Sequence, residues 1–116
     1  MNLDNAIAAH AQWKTKFRAA ITKQETMDAA TIGADNCCEL GKWLYGEGSG
    51  LYGSKPEFTN LIEMHKAFHG EAGKVAREIN AKKFDQATKM LEGTTPFGMA
   101  STEVGMAVNK LKKIVG

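Results

Sequence analysis

The sequence predicts an all-α fold, an antiparallel four-helix bundle with additional short helices. Three observations carry this prediction. Apolar residues recur at helical steps of three, four and seven in the longer segments. No segment alternates apolar and polar residues as a half-buried strand would. Capping residues, prolines and glycines stand where helices would begin and end.

The first helix is drawn by Leu3, Ile7, Trp13, Phe17 and Ile21, with His10 filling the gap on the same face. After QETMDAATIG, the stretch DNCCELGKWLYGEG predicts a short helix over Cys38 to Tyr45, closed by Gly46 and Gly48. GEGSGLYGS, with its four glycines, reads as a loop. Ser54-Lys55-Pro56-Glu57 opens the next helix. Ser54 can cap the free amides, Glu57 can complete a capping box, and Pro56 suits the first turn. Its inward stripe is Phe58, Leu61, Ile62, His65, Phe68, His69, Ala72, Val75 and Ile79. A short helix over Lys83 to Leu91 is broken by Gly93. Thr95-Pro96 then starts a last helix with the stripe Phe97, Ala100, Val104, Ala107, Leu111 and Ile114. The Met and Phe side chains of that helix are candidates for a dimer interface.

A length of 116 residues fits a single domain over 1–116, enough for a working core without staples. A net charge of +2, with the cations scattered, argues against nucleic acid as a partner. No apolar run is long enough to span a membrane, so no direct membrane insertion is expected. The first residues, MNLDNAIAAHAQWK, carry an acid and no basic region, unlike a signal peptide. The methionine start, nine residues before His10, favours a domain near a parent N-terminus or a short free protein. Cys37 and Cys38 are adjacent and cannot cross-link distant elements, which points to a reducing compartment and to thiols that do not staple. Both thiols could instead be small buried hydrophobes.

All three histidines fall on apolar faces, which random placement would give about 8% of the time. His65 and His69 lie about 40° apart and one turn along a helix, so their nitrogens can converge. Two imidazoles buried together leave unsatisfied nitrogens that a metal satisfies at once. His10 can add a third ligand, and a thiolate from DNCCELGKWL a fourth. Three imidazoles and one thiolate select zinc over magnesium or calcium. A zincin would need His-Glu-x-x-His, but Lys66 follows His65. Carboxylate-bridged di-iron bundles need Glu-x-x-His pairs, which are absent. A hydrolase of the DinB kind would use His10, His65 and His69 plus a water, yet no base or oxyanion donor stands beside them.

The order His10, then Cys38-Glu39-Leu40-Gly41-Lys42-Trp43, then His65-x-x-x-His69 resembles the chemoreceptor zinc-binding (CZB) domain family. That family's pattern is a first-helix histidine, C-x-[LF]-G-x-W, and HxxxH in a later helix. The spacings of 28 and 27 residues also fit, and the resemblance covers most of the chain. It implies a helical bundle holding one zinc ion through His10, Cys38, His65 and His69. Cys38 rather than Cys37 occupies the motif's cysteine position, leaving Cys37 a buried or half-exposed neighbour. Trp43 is expected to pack beneath the site, Gly41 to let helices approach, and Asp35 to act as an N-cap or as an acceptor for a ligand imidazole. The resemblance further implies a bacterial, cytoplasmic regulatory module rather than an enzyme. Such a module is a homodimer acting on the output domain of a chemoreceptor or diguanylate cyclase. Zinc occupancy, oxidation of the zinc-bound thiolate, or both would be its input. A purely structural zinc bundle that mediates dimerisation is the alternative from another class.

Overall fold

The structure, a computed structural model, describes residues 1–115. Among them seven helices and no strands form: α1 (Leu3–Lys23), α2 (Ala29–Gly33), α3 (Glu39–Leu44), α4 (Glu47–Tyr52), α5 (Pro56–Asn80), α6 (Phe84–Met90) and α7 (Pro96–Val115). The all-α bundle expected from the stripes is the fold observed. Three long helices, α1, α5 and α7, pack on one another, and the short α2 and α6 pack on α5.

Helix α1 starts at Asn2, whose side chain accepts from the Asn5 amide at 3.1 Å. Its inward face is turned slightly from the one expected. Ala6 and Ala20 are buried with Leu3, His10 and Phe17, whereas Ile7, Trp13 and Ile21 are only partly buried. The small alanines permit a close approach, and the larger side chains drape over the edges of the contact. The core beneath is aromatic. The Phe97 ring lies 5.6 Å from both Phe17 and Phe68, tying α7 to α1 and α5.

Four expectations are corrected. Ser54 and Glu57 form no capping box on α5. Pro56 takes the first helical position, so the cap falls on Lys55, which makes no side-chain cap bond. GEGSGLYGS is not a loop, because Glu47–Tyr52 is helical. Packing overrides the poor propensity of glycine there. A Cβ on Gly48 would stand 2.8 Å from the Trp43 ring, which also packs on Tyr52 at 6.0 Å. Ile114 is exposed rather than inward. On α7, Phe97 is buried while Met99 and Met106 are exposed, so of the Met and Phe candidates only the methionines reach the surface.

Helix α2 is too short for periodicity to reveal. Asp28 caps it, accepting from the Thr31 amide and hydroxyl. It presses on α5 where two glycines meet, and a Cβ on Gly73 would lie 2.9 Å from Gly33 Cα. That close crossing sets the Ile32 carbonyl over His69. Gly73→Ala should force the two backbones apart and destabilise the protein by about 1–3 kcal/mol, the usual cost of overpacking. Chemical denaturation of the variant against the parent chain measures it.

Candidate metal centre

Each prospective donor reaches the centre because local structure aims it there. His10 lies on the inward face of α1, and His65 and His69 lie one turn apart on α5. Cys38 is the N-cap of α3, with extended backbone (φ −82°, ψ 165°). Its Sγ accepts from the Gly41 amide at 3.4 Å. The structure therefore gives Cys38 the cap that the sequence suggested for Asp35. The Asp35 carboxylate instead accepts from the Tyr45 hydroxyl, which pushes the phenol up to about 12.

The four donor atoms lie within 4.8 Å of one another. His65 Nε2 is 3.1 Å from His10 Nε2 and 3.2 Å from Cys38 Sγ. The sulfur is 3.6 Å from His69 Nε2 and 4.0 Å from His10 Nε2. Zinc bonds of about 2.0–2.3 Å set ligand atoms of a tetrahedron roughly 3.3–3.6 Å apart, so the spacings suit that ion.

The tautomers make the same point. His10 Nδ1 stands 2.7 Å from the Ala6 carbonyl and His69 Nδ1 stands 2.8 Å from the Ile32 carbonyl. A carbonyl only accepts, so both Nδ1 atoms carry the proton, and a neutral ring then turns a bare Nε2 lone pair inward. Burial lowers the pKa of all three imidazoles. At His65 the neighbouring His69 and His10 add to it, and the value falls to about 3. Burial also pushes the Cys38 thiol up, against the opposing pull of the Gly41 amide. With the rings neutral, His10 and His69 each turn a bare Nε2 lone pair toward the Cys38 sulfur and His65 Nε2. Nδ1 of His65 is buried with no hydrogen-bond partner, unlike those of the other two rings.

The three imidazoles are buried, with His10 6%, His65 0% and His69 2% exposed, whereas Cys38 is partly open. Two clefts reach it. One, of about 170 Å³, is lined by His10, Cys38 and Glu39, and the other, of about 160 Å³, by Trp13, Cys37, Cys38 and His69. The thiol is therefore the donor that solvent can reach.

Cys37 is exposed rather than buried or half-exposed, and its sulfur stands 3.6 Å from Asn36 Oδ1. Trp43 packs against Phe58 at 5.9 Å and on α4. The aromatic residue against the site is Phe68, 5.2 Å from the His10 ring and 5.4 Å from His69. Gly41 admits the Asp35 backbone rather than a helix, since its Cβ would lie 1.8 Å from the Asp35 oxygen. The Ala6 and Ile32 carbonyls were invisible in the sequence because any residue supplies one. Only the four-residue step from Ala6 to His10 on one helix hinted at the first.

An acid-sensitive metal-free state follows from the burial. The free imidazole value is 6.5 and His65 sits at about 3, so the unfolded chain binds more protons across that window. The stability is fully present above the unfolded value and lost as pH falls toward the folded one. Thermal unfolding of the metal-free protein should show a melting temperature that drops as the pH falls from about 6.5 toward about 3, and His65→Leu should shrink the drop.

The family model of the chemoreceptor zinc-binding domain matches residues 10–76, more than half of the chain, from the first of these histidines to beyond the last. No curated protein and no solved structure matches. With the matched region spanning all four clustered donors, the chain belongs to the chemoreceptor zinc-binding domain family, a family of regulatory zinc-binding domains.

Proposed function

We propose that this chain is a bacterial zinc-responsive sensor domain, in which His10, Cys38, His65 and His69 hold one zinc ion and Cys38 is the moving part. The observation that carries the reading is the convergence of four donor atoms within 4.8 Å from α1, the start of α3, and α5. Bound zinc would keep the Cys38 thiol deprotonated and cross-link those elements. Four protein donors leave no place for a reacting water, as in closed sites rather than catalytic ones.

The packing of the bundle supports a sensor over a purely structural role. Zinc binding at structural sites amounts to about 10–16 kcal/mol, comparable to the whole stability of a domain. Here, however, the Phe17, Phe68 and Phe97 cluster joins the long helices without any contribution from Cys38. Loss of the metal should therefore loosen the Cys38 segment and strain the buried imidazoles while the bundle persists. The exposure of Cys38 favours two inputs. One is exchange of zinc with the surroundings. The other is oxidation, in which the thiolate attacks the chlorine of hypochlorous acid and displaces hydroxide, and water then hydrolyses the S–Cl bond to a sulfenic acid and chloride. Either frees the 35–38 loop from the donor cluster.

We further propose a cytoplasmic homodimer that passes this change to the output domain of a chemoreceptor or a diguanylate cyclase, in cis or in trans. The exposed Met99 and Met106 of α7 favour that helix as the dimer surface. No helix among the described residues is long and apolar enough to cross a membrane.

Competition with a chelator of graded affinity tests the reading, with circular dichroism followed in parallel. The parent chain should bind one zinc, Cys38→Ala should lose at least about tenfold in affinity, and Cys37→Ala should lose none. Helicity should largely survive removal of the metal. Complete unfolding on metal loss, with no exchange, would support a structural role instead.

A further inference from the structure

Between Ile32 and Tyr45 the chain forms a clip around the thiol. At one end the Ile32 carbonyl holds His69. At the other, the Tyr45 hydroxyl at the end of α3 donates to the Asp35 carboxylate in the loop before α3. Gly41 lies against the same loop, its missing Cβ leaving room for the Asp35 and Asn36 backbone. Cys38 sits at the junction, capping α3 and bonded to the Gly41 amide.

Neither side chain of the Asp35–Tyr45 pair belongs to the core. Tyr45 is 50% exposed and Asp35 half-buried. Surface contacts of this kind affect global stability little, so any larger effect falls on what the pair encloses. The Asp35 carboxylate is also near enough to bias the protonation of both His69 and Cys38. Three neutral imidazoles and a thiolate around zinc leave a net charge of about +1, which a neighbouring carboxylate offsets.

We propose that Asp35 and Tyr45 are positioning residues: their hydrogen bond latches the 35–38 loop to α3, so that the Cys38 sulfur stays within the donor cluster and the latch sets how readily zinc leaves. The proposal rests on the zinc reading above and concerns the kinetics of the Cys38 arm rather than the identity of the donors.

Zinc-loaded parent chain and variants, mixed with a chromogenic chelator, report the rate of metal transfer. Tyr45→Phe removes only the hydroxyl and should transfer zinc about tenfold faster, the lower end of what loss of an outer-shell contact costs a metal site. Thermal unfolding of its metal-free form should be unchanged. Asp35→Asn keeps an acceptor for the hydroxyl and should transfer more slowly than Asp35→Ala. Tyr45→Phe combined with Asp35→Ala should be no faster than Asp35→Ala alone, because both remove one interaction. A Tyr45→Phe rate equal to the parent's, or single effects that multiply in the double variant, would overturn the latch while leaving zinc binding intact. A parent chain that takes up no zinc would overturn the zinc reading itself.

Discussion

Three imidazole nitrogens and one sulfur are forced into a volume whose longest internal separation is 4.8 Å, and much of the surrounding structure can be read as what is needed to keep them there. Two of the rings have their outer nitrogens committed to backbone carbonyls, so they cannot turn away. Burial keeps all three neutral, which is the form that offers a lone pair. Helices far apart in sequence must then meet at one height. The Gly33–Gly73 crossing and the aromatic cluster of Phe17, Phe68 and Phe97 fix that height.

The centre is unequal in its parts. The histidines ride on long helices that belong to the core, while the sulfur rides on a loop and a six-residue helix at the edge. Three donors on core helices and one on an edge segment share one site. Such a division suits a signal, because a change at the sulfur can be expressed as motion of its loop without dissolving the bundle. Phe68 joins core and site, being packed on Phe97 and against the His10 and His69 rings.

Much of this was legible in the sequence. The stripes of α5 and α7 run over many turns, so their periodicity was unmistakable, and two inward histidines four residues apart stood out within one of them. His10 and Cys38 required a pattern spanning the chain, since neither is informative in its own neighbourhood. Short elements were hidden. Five-residue α2 has no periodicity to read, and α4 is built from residues that favour loops until Trp43 packs on Gly48. The capping of α3 by a cysteine was also missed, because sulfur is an uncommon cap and Asp35 is a common one. The tautomers of the ligand rings depend on carbonyl positions that no side-chain pattern encodes.

The zinc coordination shell is the decisive observable for this site. An X-ray absorption spectrum at the zinc edge of the loaded protein should fit one sulfur at about 2.3 Å and three nitrogens at about 2.0–2.1 Å. A shell of nitrogen and oxygen alone, with no sulfur, would contradict it, because Cys38 would then stand outside the site it is proposed to complete.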